Sequence, residues 1–157
     1  MWEPLRRFRS LEPSARGLFL RAAVLLPVIS LSLWLRGFRA TQASLQKRID
    51  GRASSRCDPS DPAKAARTAL TARMVRSAAY RSLGAATCLE KSLGLWWLLG
   101  RQGIASSLRI GARKTGDKFE AHAWVECDGM ALNEPEGVHK HYAAFYEAFP
   151  VLEAAKK

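Results

Sequence analysis

The sequence predicts an α+β fold, in which helices come first and a small antiparallel sheet follows. Two observations support this: strong helix formers dominate residues 63–80 and 86–101, whereas residues 119–127 alternate with a period of two. Helices followed by strands are typical of α+β domains. With 157 residues, 48% of them hydrophobic, the chain is long and apolar enough for one domain. We divide it into a basic N-terminal helical segment with a linker, residues 1–57, and a core, residues 58–157.

The most apolar stretch, residues 18–35, is interpreted as a helix. Glu12 and Pro13 resemble a helix start, and Gly37 offers a stop. The apolar positions with helical spacing are Leu18, Leu25, Leu26, Ile29 and Leu33. Fewer uncharged residues follow one another here than the roughly 20 that a membrane span needs. We therefore expect a soluble helix packed on the domain or on a partner, with membrane contact, a span or a signal peptide as alternatives.

Two further helices are predicted after a loop. Residues 50–62 are dense in Gly, Ser, Asp and Pro, which is typical of a loop. Residues 63–80 then predict a helix, and residues 82–84 a break. The next helix spans residues 86–101 and ends at Gly100 and Gly103. Its apolar face consists of Leu89, Leu93, Trp96, Trp97 and Leu99.

The rest of the chain predicts a short sheet. Residues 104–112 predict a strand and residues 113–117 a turn. In residues 119–127 one face carries Phe119, Ala121, Ala123, Val125 and Cys127, and the other carries Glu120, His122, Trp124 and Glu126. Asp128 and Gly129 signal a hairpin turn before a return strand at residues 130–133. A final helix is expected at residues 140–148.

Charge and cysteine content limit the function classes. The formal net charge is +11, and most of it falls in residues 1–57, which predicts attraction to an acidic peptide, a protein or a lipid surface. Nucleic acid is not favoured, because no zinc finger or RNA-binding motif is present. Three cysteines argue against a disulfide framework and for a reducing compartment. We expect no metal and no cofactor, since no cysteine pair has zinc-site spacing and the only close histidines are His139 and His141.

Cys88 and His122 are the candidate catalytic residues. Cys88 falls at a helix start, where the helix dipole favours a thiolate and free backbone N–H groups can bind an oxyanion. His122 lies in a strand, where a neighbouring group can orient its ring. That group is expected at the end of the return strand, as Asn133 or Glu134. The other cysteines, Cys57 and Cys127, are expected to be incidental.

These residues belong to motifs that resemble a known family. The motifs are TCLE at 87–90, LWWLL at 95–99, EAHAWVE at 120–126 and LNE at 132–134. Together they resemble the leader peptidases of lasso peptide biosynthesis, transglutaminase-like cysteine proteases that remove the leader from a precursor peptide. The resemblance implies a transglutaminase/papain-like core in which a helix opening with Cys88 packs on a small antiparallel sheet. It also implies Cys88 as nucleophile, His122 as general base and acid, and a carboxylate at Glu134, where the family usually has Asp.

The resemblance also implies partners. The chain has no room for the fused leader-recognition domain of some relatives, so it resembles the split form. A separate leader-binding protein would then deliver the precursor peptide, and an ATP-dependent lasso cyclase would close the ring, in the cytoplasm. The basic N-terminal third is a candidate docking surface.

Three alternatives remain open at this point. An acyltransferase or amidase on the same fold would resolve the thioester with an amine instead of water. A non-catalytic binding or scaffold module would use Cys88 and His122 only structurally. The third alternative is a membrane-associated protein.

Overall fold

Helices form the first part of the chain, as its composition predicts. The computed structural model describes residues 11–49, 55–56, 60–82, 86–133, 138–144 and 149–150. Its helices are α1, Pro13–Lys47; α2, Pro62–Arg81; and α3, Cys88–Arg101. The α2 and α3 bounds agree with the predicted helices to within two residues.

Helix α1 starts at the predicted proline but continues beyond the predicted stop. Gly37 has φ 74° and ψ 177°, a conformation that interrupts the helix and that glycine adopts without a side-chain clash. Helical residues then continue to Lys47. The Oγ of Ser32 and the Oγ1 of Thr41 share a hydrogen bond of 2.8 Å across this kink. Gly37 is therefore a bend within a longer helical segment.

One face of α1 packs on the rest of the domain. Ala22, Leu26 and Ile29 are buried in a core that they share with α2, α3 and the sheet, which confirms the predicted packing of the stripe. The opposite face is apolar too but exposed, and it consists of Leu20, Val24, Val28, Leu31, Trp34 and Leu35. By length and composition alone α1 could cross a membrane, with mean hydropathy 2.1 over an 18-residue window. A core helix or a signal sequence has the same property.

Helix α3 lies at the centre of the molecule. Leu93, Leu95, Trp96 and Leu99 are fully buried, because α1, α2 and the sheet surround this helix. Its chain direction reverses at Gly103, whose φ of 77° is in the left-handed region. The predicted apolar face is thus the main contribution of α3 to the core.

The sheet is built around one antiparallel hairpin. Strands β3 and β4 pair so that Gly111 lies opposite His122, and the turn between them contains Gly116. The strand order is β5-β4-β3-β6, with β7 also on β3, and β1 and β2 form a separate parallel pair. The bounds are β1, Ser55–Arg56; β2, Ile104–Ala105; β3, Ser107–Thr115; β4, Lys118–Cys127; β5, Met130–Ala131; β6, Ala143–Ala144; β7, Phe149–Pro150.

Three details of the predicted sheet region are wrong. Strand β3 extends through Thr115, so the turn is shorter than expected, and the return strand stops at Ala131. Where a helix was expected from residue 140, a 3₁₀ turn at Val138–His141 precedes β6, and residues 145–148 of the expected helix lie outside the described residues. The reason is tertiary: β6 pairs with β3 at Gly111, where the missing side chain lets a second strand approach. Strand pairing here overrides local helix propensity.

The cysteines also differ from expectation. Cys88 is a free thiol, whereas Cys127 is buried and disulfide-bonded. The expectation that Cys127 is incidental is therefore wrong. Disulfides are rare in reducing compartments, so the cysteines no longer support a reducing compartment for this chain. The cytoplasmic location stays a prediction.

Candidate active site

The start of α3 is fixed by a reciprocal pair of hydrogen bonds. Thr87 is the N-cap, and its Oγ1 accepts from the Glu90 N–H at 3.3 Å. In return, the Thr87 N–H donates to Glu90 Oε2 at 2.7 Å. This capping box holds Cys88 as the first helical residue.

The capping box also determines which backbone donors are left at this helix start. The N–H groups of the first helical residues have no partner within the helix. Those of Thr87 and Glu90 are used by the box. Among the described residues, no acceptor hydrogen-bonds the N–H groups of Cys88 and Leu89. These two donors lie beside the half-exposed thiol of Cys88, where they can bind an oxygen that gains negative charge.

His122 lies in β4 with its ring against two aromatic side chains. Its ring centroid is 4.9 Å from that of Tyr142, with the planes tilted by 31°, and 6.2 Å from that of Trp124. Trp124 is 1% exposed, and its Nε1 donates to Glu126 Oε1 at 2.9 Å. The predicted polar face of β4 is therefore partly covered, and His122, Trp124 and Tyr142 form a cluster of three rings, in which the centroids of Trp124 and Tyr142 are 6.4 Å apart.

A charged pair supports the ring of Tyr142. The guanidinium of Arg113 lies 4.8 Å from the Tyr142 centroid and forms a 2.6 Å ion pair with Glu120. The hydrogen bond to Glu120 raises the pKa of Arg113, because it favours the charged guanidinium. These contacts run from Glu120 through Arg113 and Tyr142 to His122. They join three side chains of the β3–β4 hairpin to Tyr142, which comes later in the sequence.

Ser92 connects the helix of Cys88 to the strand of His122. It lies one turn beyond Cys88, is fully buried, and its Oγ donates to the carbonyl of Ala123 at 2.9 Å. Residues four apart lie on the same face of a helix. The face of α3 that carries Cys88 is therefore bonded to β4 at the residue that follows His122.

Asn133 completes this connection. Its Nδ2 donates to Ser92 Oγ at 3.0 Å, and its Oδ1 accepts from the Val125 N–H at 2.8 Å. Among the described contacts, none joins the Asn133 amide to His122. Asn133 thus links the segment after β5 to α3. The other predicted orienting group, Glu134, lies outside the described residues.

Sequence reasoning missed three of these residues. Ser92 offered a local signal, because it is a small polar residue within an apolar helix and follows Cys88 at i+4. Tyr142 and Gly111 offered none. A Cβ at Gly111 would lie 2.9 Å from the Ala143 carbonyl oxygen and from the Trp124 ring, so only glycine lets β6 and Trp124 pack here.

Comparison with known proteins gives one match. The family model described as the transglutaminase-like superfamily matches residues 32–147, more than two thirds of the chain. The matched range contains Cys88, His122 and the whole β3–β4 hairpin. No curated protein matches the chain, and no solved structure does.

Proposed function

Because the chain belongs to the transglutaminase-like superfamily, whose members generally catalyse through a cysteine, we propose that it is a cysteine peptidase that removes the leader from a lasso peptide precursor. The family match supports cysteine-dependent catalysis, and the motifs around Cys88 and His122 support the finer assignment. The observation that carries the proposal is the Ser92 bond to Ala123, since it joins the helix start of Cys88 to the strand of His122.

In the proposed reaction, the Cys88 thiol gives its proton to His122, and Sγ adds to the scissile carbonyl at the leader–core bond. The N–H groups of Cys88 and Leu89 stabilise the oxyanion as it forms. The C–N bond then breaks, and His122 donates a proton to the departing amine, which becomes the new N-terminus. Water, deprotonated by His122, attacks the thioester and releases the leader carboxylate together with the free thiol. Glu134 is the proposed group that orients His122.

The proposal includes partners. A separate leader-binding protein would present the precursor, and an ATP-dependent cyclase would use the freed core peptide in the cytoplasm. The arginine-rich N-terminal third is the candidate contact for one of them. Exchange of Arg16 and Arg21 for Glu should weaken binding of the leader-binding protein or of the cyclase at low salt, because both are basic positions of α1. Unchanged affinity for both partners would exclude this surface as their contact.

The test is cleavage of the precursor peptide encoded beside this chain's gene, followed by mass spectrometry. Wild type is compared with Cys88→Ala, Cys88→Ser and His122→Ala, each with the leader-binding protein present. We expect one cut between leader and core, lost by at least about a thousandfold in the Cys88→Ala and His122→Ala proteins. Cleavage that persists in Cys88→Ala would overturn the mechanism. Transfer of the leader to an added amine, without hydrolysis, would favour the acyltransferase instead.

A further inference from the structure

The outer face of α1 carries a continuous apolar surface, which we call the α1 stripe. Its members, each more than half exposed, are Leu20, Val24, Val28, Leu31, Trp34 and Leu35. They recur at helical spacing and therefore lie along one side of the helix, over a length of roughly 22 Å. A contiguous exposed apolar surface on a folded domain marks a contact with another protein or with a membrane.

Helix α1 and its neighbour α2 contain basic residues but no acidic ones. The basic residues are Arg16, Arg21, Arg36, Arg39 and Lys47 in α1, and Lys64, Arg67, Arg73, Arg76 and Arg81 in α2. They account for almost all of the formal net charge of +11. Among the described residues, Lys64 is the only one of them in an ion pair. The two helices therefore attract an anionic partner.

Exposed arginines border the α1 stripe on both sides and at its end. On the side of α3, stripe residues line a hollow of about 770 Å³ together with Arg21 and Arg101. On the side of α2, other stripe residues line a hollow of about 850 Å³ together with Arg81. Arg36 and Arg39 follow the last stripe residue along the chain. The stripe, the two hollows and the arginines thus form one surface.

This surface fits an anionic lipid bilayer better than a partner protein. Apolar side chains with arginines around them match the acyl layer and the lipid phosphates, as in helices that lie in a membrane interface. Mobile acyl chains can fill both hollows, whereas a single extended peptide cannot follow both, because α1 lies between them. A second copy of this chain is disfavoured, since two such surfaces would bring like charges together. The acidic residue that lines one hollow, Glu90, is half-buried and accepts from the Thr87 N–H.

The packing of α1 favours a position on the bilayer surface over a span. The side of the helix opposite the stripe, with Ala22, Leu26 and Ile29, is buried in the core shared with α2, α3 and the sheet. A spanning α1 would have to leave this core. In addition, the uncharged stretch between Arg21 and Arg36 is shorter than the roughly 20 residues that a span needs. The folded domain can therefore offer only the outer face of α1 to lipid.

We propose that the α1 stripe binds the surface of an anionic lipid bilayer. The apolar side chains then lie between the headgroups and the acyl chains, and the bordering arginines contact the lipid phosphates. The domain is thereby oriented with α1 towards the membrane. This proposal uses no property of Cys88 or His122, so it can fail or hold independently of the proposed peptidase activity.

The test is flotation of the purified full-length chain with lipid vesicles, which needs no turnover. Vesicles of phosphatidylcholine alone are compared with vesicles that contain about one third phosphatidylglycerol, at low and at high salt. We expect wild type to bind the anionic vesicles at least about tenfold more strongly, and less so at high salt. Trp34→Ala and Arg36→Glu should each weaken this binding by about fivefold or more, since one removes apolar contact and the other reverses a bordering charge.

Matched controls make the same kinds of change on the sheet. Phe119→Ala removes an aromatic side chain that is 78% exposed, and Lys118→Glu reverses a charge at an exposed position of β4. Both should keep vesicle binding within about twofold of wild type, with circular dichroism to verify that every variant is folded. Absent binding, equal binding to both kinds of vesicle, or equal losses in the controls would overturn the proposal. Retention in cell membranes after an alkaline carbonate wash would overturn it too, because it would indicate a span.

Discussion

Helices α1 and α3 are both apolar around most of their circumference, yet the structure treats them differently. In α3, Leu93, Leu95 and Leu99 have no exposed surface, because α1, α2 and the sheet pack around them. In α1, Val24 and Trp34 are 69% and 81% exposed. A helix that is apolar all round is normally buried. This chain therefore buries most of α3 within its own core, whereas the outer face of α1 stays exposed among the described residues.

The largest expected effect comes from replacing a leucine with alanine, and the same replacement is compared in α3 and in α1. Leu95→Ala should lower the free energy of unfolding by about 3 kcal/mol, because it leaves a cavity in a fully buried site. Leu35→Ala, at a site 62% exposed, should change it by less than about 0.5 kcal/mol. Urea unfolding at two protein concentrations measures the change in the free energy of unfolding for both variants. A large, concentration-dependent loss in Leu35→Ala would mean that a second copy of the chain covers α1.

The next effect concerns two buried or half-buried serines. Ser92→Ala removes the hydrogen bonds that join α3 to Ala123 and Asn133, so we expect a loss of about 1–3 kcal/mol and a fall in precursor cleavage. Ser32→Ala removes the bond to Thr41 within α1 and serves as the control. It should cost about 1 kcal/mol and leave cleavage unchanged. Equal cleavage losses in both variants would mean that stability alone, and not the alignment of α3 with β4, controls activity.

A smaller effect is expected at two N-caps. Thr87→Ala and Asp61→Ala each remove a side-chain acceptor from the first turn of a helix, and each should cost about 1 kcal/mol of stability. Only Thr87→Ala should reduce cleavage, by several-fold, because its cap orients the N–H groups beside Cys88. Steady-state cleavage and thermal unfolding on the same samples separate the two effects. A similar loss of cleavage in Asp61→Ala would contradict this role of the Thr87 cap.

The elements that the sequence predicted well are those with local signals. The N-caps of α2 and α3 are Asp61 and Thr87, residue types that are preferred at this position, and the hairpin turn contains Gly116. The alternation in β4 placed Ala123 and Val125 in the core, where the structure has them. The start of α3 near Cys88 could be predicted because it depends on the neighbouring sequence alone, and the catalytic role of Cys88 stays a prediction.

The elements that could not be predicted depend on contacts between distant parts of the chain. The links of Ser92 to Asn133 and of His122 to Tyr142 join residues that are 41 and 20 positions apart in the sequence. No local pattern records such a pairing. The first part of the helix predicted at residues 140–148 is wrong for the same reason, since β6 at Ala143–Ala144 pairs where Gly111 leaves space on a strand some thirty residues earlier.

The smallest expected effect compares one glycine in each helix. Gly17→Ala in α1 adds a methyl group with no atom within 4 Å, so it should stabilise the protein by about 0.5–1 kcal/mol through improved helix propensity. Gly94→Ala in α3 adds one 3.2 Å from Leu26 Cδ2, a buried core atom of α1. There the clash should offset the gain, for a net change between about zero and a 1 kcal/mol loss. Thermal unfolding of both variants decides the matter, and equal stabilisation would mean that α1 and α3 are less closely packed in solution than the structure has them.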